Sequence, residues 1–148
     1  MSRPFLLDVN VLIALFDSAH VHHQVAHDWF AEKQLAGWRT CPLTEAGLLR
    51  ILSNPAYPNG ALPISEIALR LEEFKEAAAG HYEFWSEDFA LGSWLKMGSL
   101  SVASTNLTDA YLLKLSVRYS GTLATLDRRI RPSLIGENDL KIVEHLPA

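Results

Sequence analysis

The sequence predicts an α/β fold built on a central, mostly parallel sheet of about five strands flanked by helices. Three observations carry that prediction. The stretch from Phe5 to Phe16 is almost wholly apolar, with Asp8 and Asn10 set in its middle. It reads as a strand over Pro4 to Leu7 and a helix over Val11 to Phe16, and neither has a polar face. An element without a polar face is buried on all sides, as the central strand of a parallel sheet is. Short apolar strands then alternate with segments of helical period along the rest of the chain, the pattern of right-handed crossovers in a parallel sheet. Finally, acidic residues recur just after strands or in the first turn of the helix that follows. Ligands of open α/β sheets bind outside the carboxyl ends of the strands.

Each element has its own justification. After the opening strand and helix, Asp17 to His23 is a polar turn. From His23 to Leu35, Val25, Trp29 and Phe30 stand at helical spacing among polar residues, which predicts an amphipathic helix. His20, His22, His23 and His27 cluster there. His20, His23 and His27 fall at three- and four-residue steps, a spacing that suits zinc, but with no cysteine pattern beside them a polar helix face is the simpler reading. Gly37 to Cys41 reads as a second strand. Pro42 to Leu52 reads as a helix with proline in its first turn and Leu48, Leu49, Ile51 and Leu52 on its buried face. Ser53 to Gly60 holds two prolines and a glycine and is a loop.

Ile64, Ile67, Ala68, Leu71, Phe74 and Ala78 form the next helical stripe, with Ser65 as its cap, Gly80 as its stop and a charged, solvated opposite face. His81 to Trp85 alternates as a third strand, and Ser86 to Met97 falls into short helical pieces. Phe84, Trp85 and Trp94 are core aromatics or a platform for bases or a partner. Asn106 to Tyr119 is the clearest helix, capped by Asn106 or Thr108 and ended by Gly121. Thr122 to Leu126 is a fourth strand, and Leu140 to Val143 is a fifth, at an edge.

The bulk properties bound the function. A chain of 148 residues, 49% hydrophobic and 20% charged, makes one domain with a sizeable core, spanning residues 1–148. Its apolar runs are too short to cross a bilayer and no signal-like segment opens it, so a cytoplasmic protein without a membrane role is expected. The lone Cys41 cannot form an internal disulfide and reads as a small buried residue. The net charge of −4 is unlike that of a protein binding nucleic acid by general electrostatics. If this one handles nucleic acid, its positive charge comes from bound metal or a basic partner.

Four acids share the carboxyl edge of the predicted sheet. Asp8 and Asp127 follow strands, and Glu45 and Asp109 lie in first helical turns. Taken singly, each has an ordinary explanation. Asp8 is a favoured N-cap, Glu45 and Asp109 suit the positive end of a helix dipole, and Asp127 can begin a turn before Arg128 and Arg129. Taken together, four carboxylates in a small space repel one another unless protons or cations intervene. Oxygen ligands without histidine or cysteine suit Mg²⁺ or Mn²⁺, and such a site activates water for phosphodiester cleavage. Asp17, Asp28, Asp88 and Asp139 follow no central strand and are left out of this set.

The segments Leu7 to Leu15, Cys41 to Arg50, Leu107 to Leu113 and Leu123 to Arg128 resemble those of PIN-domain proteins, and specifically of VapC-type ribonuclease toxins of bacterial toxin–antitoxin pairs. They occur in the family's order over most of the chain. The His22-His23 pair and the Ser53-Asn54-Pro55 turn resemble the same branch. The resemblance implies a PIN-like three-layer fold and Mg²⁺-dependent endoribonuclease activity. It also implies a homodimer and a small cognate antitoxin. Asp8, Glu45, Asp109 and Asp127 match the family's acidic quartet, as metal ligands and catalytic residues, and Asn10 matches a polar position beside the first acid. Arg128, Arg129 and Arg131 are either contacts for the RNA backbone or a solvated edge. Within the fold, a housekeeping RNA-processing enzyme, a DNA nuclease and a non-catalytic metal- or partner-binding module are the alternatives. A phosphoacceptor signalling domain would need two adjacent acids after the first strand and a lysine after a late one. Asp8-Val9-Asn10 and Asp127-Arg128 do not supply these.

Overall fold

The computed structural model describes residues 3–87, 89–97 and 102–147, so Asp88 lies outside the described residues. Five strands, β1 (Phe5–Leu7), β2 (Trp38–Thr40), β3 (Tyr82–Phe84), β4 (Thr122–Thr125) and β5 (Val143–His145), form one sheet in the order β3-β2-β1-β4-β5. All four pairings are parallel. β1 is therefore the middle strand, which accounts for a segment whose three side chains are all buried. Successive residues alternate between faces. Phe5 and Leu7 join one hydrophobic cluster and Leu6 the other.

Helices cover both faces. The first carries α1 (Val9–Phe16), α2 (His23–Lys33), α3 (Pro42–Leu52) and α4 (Ile64–Glu76), packed around Leu12, Trp29, Phe30, Trp38, Leu48 and Leu71. The second carries α6 (Leu107–Arg118), whose Leu112, Leu113 and Leu115 pack on Leu6 and Leu123. Between β3 and α6 lies the short α5 (Leu91–Met97). Three layers result, as expected of two sheet faces that must both be buried. Trp85 is a core residue, 2% exposed and stacked on Tyr119 at 4.6 Å, whereas Phe84 is exposed.

Several boundaries differ from the sequence reading. Helix α1 begins at Val9, with Asp8 as its N-cap. The cap position of α4 is Pro63 and not Ser65, which lies inside the helix. α6 ends through Ser120, whose φ of 56° is left-handed, and not through Gly121. Gly121 is small for another reason, since a Cβ there would overlap the Trp85 ring and lie 2.9 Å from the Pro4 carbonyl. The fifth strand is shifted, with Leu140–Ile142 forming a 3-10 turn capped by Asp139 and the strand starting at Val143. Leu126 stands between β4 and Asp127.

Candidate active site

Asp8 is where strand, helix and charge meet. Its N–H donates to the Ala124 carbonyl at 3.0 Å, carrying the β1–β4 ladder one residue past the strand. Its Oδ1 accepts the Val9 N–H at 2.7 Å, capping α1. Its Oδ2 accepts the Thr125 hydroxyl at 2.8 Å and a long 3.4 Å contact from Asn10 Nδ2. The side chain is buried, 6% exposed. Burial raises its pKa to about 6. Hydrogen bonds from Thr125 and Val9 pull the other way, and the charges of Asp109 and Asp127 add to the rise. Capping and a buried acid at the sheet edge are thus the same residue doing both things.

Thr125 ends β4 and organises the neighbourhood. Its Oγ1 accepts Asn10 Nδ2 at 3.1 Å and the Asp127 N–H at 3.0 Å. With both acceptor positions taken, its single hydrogen is directed to Asp8. Asn10 in turn accepts the Leu126 N–H at 3.0 Å on Oδ1. The first turn of α1 is therefore stitched to the end of β4, and every side-chain hydrogen bond described for Asp8 is one its carboxylate accepts. An ionised group is what this lattice of donors fits.

Asp109 lies in the first turn of α6 and Asp127 in the loop after β4. Burial, and then the charge of Asp127, raise the pKa of Asp109. Asp127 is held below the ordinary carboxylate range, chiefly by Arg129. Arg129 Nε and Nη2 meet Asp127 Oδ1 and Oδ2 at 3.0 and 2.9 Å, a two-pronged clamp. Thr105, Asn106, Asp109, Asp127 and Arg129 line a cleft of about 430 Å³. Arg129 stands at its rim with a side chain 90% exposed, while Arg128 Nη2 is tied to the Leu146 carbonyl at 3.0 Å.

Glu45 has different partners. It lies in the first turn of α3, where its Oε2 accepts the Thr40 hydroxyl at 2.5 Å and pairs with Lys75 Nζ at 2.8 Å. The structure therefore brings Asp8, Asp109 and Asp127 into one electrostatic neighbourhood and gives Glu45 a cation of its own. Among the described residues, no three histidine, cysteine, aspartate or glutamate side chains are already close enough to enclose an ion. The histidines of α2 and the turn before it have local duties. His20 Nδ1 accepts the His22 N–H at 3.0 Å, and His23 Nδ1 lies 2.7 Å from the Ala14 carbonyl.

Two participants went unnoticed in the sequence. Thr125 is a strand threonine whose only signal is its parallel alignment with the acid after β1. Lys75 sits among the charges of α4 and reads there as solvated.

Comparison with known proteins agrees with this geometry. Residues 5–132 match the family model of the PIN domain. Ribonuclease VapC44 of Mycobacterium tuberculosis is 39% identical over 127 residues, covering 84% of this chain and 87% of that protein. Ribonuclease VapC39 of the same organism is 40% identical over 136 residues, covering 86% of this chain and 91% of that protein. A solved domain of a functionally unknown protein from Methanocaldococcus jannaschii superposes with a TM-score of 0.53 at 17% identity, covering 99% of this chain and 93% of that one, and so shares its fold. A family match from the first strand to beyond the last acid, with relatives at this identity along most of the chain, places it in the PIN-domain family and, within that family, among the VapC ribonucleases.

Proposed function

We propose that this chain is the toxin of a toxin–antitoxin pair, an endoribonuclease that hydrolyses RNA phosphodiester bonds with a divalent cation, Mg²⁺ or Mn²⁺, held by Asp8, Asp109 and Asp127. The observation that carries the reading is the placement of Asp8. It is a buried carboxylate kept accepting by Thr125, Asn10 and Val9, and the charges of two further acids weigh on it. Such a cluster is costly without a counter-ion, and an all-oxygen donor set fits a hard cation. Once bound, the cation supplies an activated water and a counter-charge for the leaving oxygen.

The chain's own residues do the rest. Asn10 and Thr125 fix the plane of the Asp8 carboxylate. Asp109 brings a second carboxylate from the start of α6, and Asp127 a third from the loop after β4. Arg129, at the rim of the cleft, is the side chain best placed to meet an RNA phosphate, because its guanidinium is exposed and its fork suits phosphate oxygens as well as a carboxylate. Glu45 orients water or substrate from the start of α3. The single domain over residues 1–148 acts as a homodimer and is neutralised by a small antitoxin whose basic segment answers the acidic cleft. No helix among the described residues is long and apolar enough to cross a membrane.

The test pairs a growth assay with a cleavage assay. Expression of the wild-type chain alone should arrest a bacterial host, and Asp109→Asn should relieve the arrest. Purified chain should cut a structured RNA in Mg²⁺ and stop in chelator. An Asp109→Asn chain as toxic and as active as wild type would refute the assigned chemistry.

A further inference from the structure

Asp127 is held in two ways that differ in kind. Along the backbone, its own N–H donates to Thr125 Oγ1 at 3.0 Å, and its Oδ1 accepts the Arg129 N–H at 2.9 Å, an Asx turn in the loop after β4. From outside, the Arg129 guanidinium reaches back over that turn, with Nε 3.0 Å from Oδ1 and Nη2 2.9 Å from Oδ2. Three donors thus fill three of the roughly four acceptor positions of the carboxylate. Among the described residues, Nη2 is the only donor to Oδ2, and the Arg129 side chain has hydrogen bonds to Asp127 alone. The partners are unlike in exposure, 90% for the Arg129 side chain and 22% for that of Asp127. An ion pair with one end in water is weak and screened by salt, so it yields to a competing partner. The neighbouring Arg128 lacks this freedom, because its guanidinium is tied to the Leu146 carbonyl.

Release of the guanidinium uncovers Oδ2 entirely. The Arg129 N–H still holds Oδ1 and Thr125 still holds the backbone, so the carboxylate stays placed while one of its oxygens becomes free. Asp109, Asp127 and Arg129 line the same cleft, so a phosphate that enters it meets the guanidinium beside the acids. A phosphodiester offers the fork the same paired oxygens as a carboxylate does. Among the described residues the acids do not already enclose an ion, and Asp127 is the one whose carboxylate carries a guanidinium. We propose that Arg129 is a positioning residue that reserves Asp127: its guanidinium covers Oδ2 until an RNA phosphate draws it away, and the uncovered carboxylate then serves the divalent ion. RNA and ion therefore strengthen each other's binding, by the same factor in each direction. The inference rests on the divalent-ion reading above and adds to it the contact that couples ion to substrate.

The NMR resonance of the Arg129 Nε–H in the full chain, identified by its loss in Arg129→Gln, reports the pair without reference to activity. In Mg²⁺ alone it should shift together with the Asp8 and Asp109 amides and exchange faster with water, because the ion takes up Asp127 in its place. In chelator, a short single-stranded RNA should shift it as well. Arg129→Gln should bind Mg²⁺ about two- to fivefold more tightly than wild type, the competition of an exposed pair having been removed. Arg128→Gln, which removes the same charge one residue away, should not share that gain. An Arg129 resonance that stays in place while the Asp8 and Asp109 amides respond to Mg²⁺ overturns the proposal. So does an Arg129→Gln chain of wild-type affinity, or an equal gain in Arg128→Gln, which would mark a general effect of charge. An RNA that leaves the Arg129 Nε–H unmoved overturns the part given to phosphate. A wild-type chain in which Mg²⁺ moves none of these resonances overturns the divalent-ion reading itself.

Discussion

Asp8→Asn offers a test of the site that needs neither RNA nor metal. Burial raises the Asp8 pKa from 3.8 to about 6. Between those two values the folded chain holds a proton that the unfolded chain has released. Stability therefore falls as pH rises through this window, the reverse of the behaviour of a salt-bridged carboxylate. The penalty is absent below the unfolded value and complete above about 6. At about 1.4 kcal/mol per pH unit, the full shift corresponds to ~3 kcal/mol, of which ~2 kcal/mol develops between pH 4 and 7. Asparagine cannot ionise and escapes it. Its amide nitrogen instead faces donors from Thr125, Asn10 or Val9, a mismatch of about 1–3 kcal/mol that does not vary with pH. The quantity to measure is thus the difference between variant and wild type as a function of pH. Urea unfolding in chelator at pH 4, 5, 6 and 7 should show Asp8→Asn gaining ~2 kcal/mol on wild type across the series. Parallel pH profiles would refute the claim that Asp8 is a strained, ionised carboxylate in the folded protein at neutral pH.

Other perturbations read the same region. Mg²⁺ or Mn²⁺ should raise the melting temperature of the wild-type chain and not that of Asp8→Asn, and the binding heat near pH 6 should depend on the ionisation enthalpy of the buffer, because Asp8 gives up a proton; a metal response retained in Asp8→Asn would contradict this. Thr125→Val removes the hydroxyl that serves Asp8, Asn10 and the Asp127 N–H. It should cost about 1–3 kcal/mol in urea unfolding and move the acid limb of the cleavage pH profile upward, because the bond from Thr125 lowers the Asp8 pKa. Gly47→Ala places a Cβ 2.7 Å from Val9 Cγ2, next to the cap of α1. It should destabilise the chain by about 1–3 kcal/mol and blunt the metal-induced rise in melting temperature, both visible in thermal unfolding.

How far the sequence revealed this structure depended on whether the signal was local. Pro42 to Leu52 is bounded as observed, because proline at the first turn and the leucine periodicity mark that helix without help from elsewhere. β1 was legible because a segment buried on both faces must be apolar throughout. β5 was misplaced by three residues because Asp139 accepts the Lys141 N–H and winds Leu140–Ile142 into a 3-10 turn. A hydropathy pattern carries no trace of that bond. The positions of Asp8, Asp109 and Asp127 after strands and in a first helical turn could be read from the order of elements. Their couplings could not. Lys75 looked solvated because the charges around it on α4 are, and only the packing of α4 on α3 beside β3 turns it toward Glu45. Thr125 looked like a strand former, because a hydroxyl's partners are fixed by which strand lies beside it.

The order of strands has a consequence for synthesis. β1 leaves the ribosome first, yet its place between β2 and β4 is complete only when Thr122–Thr125 has been made. The hydroxyl that holds Asp8 comes 117 residues after it. Contacts so far apart in the chain form late and slowly. A growing chain that has not reached β4 has neither the Thr125 bond nor the Asp127 carboxylate, and its Leu6 has no Leu123 to pack on. The candidate site is therefore completed only after β4 has been made, however early Asp8 itself emerges.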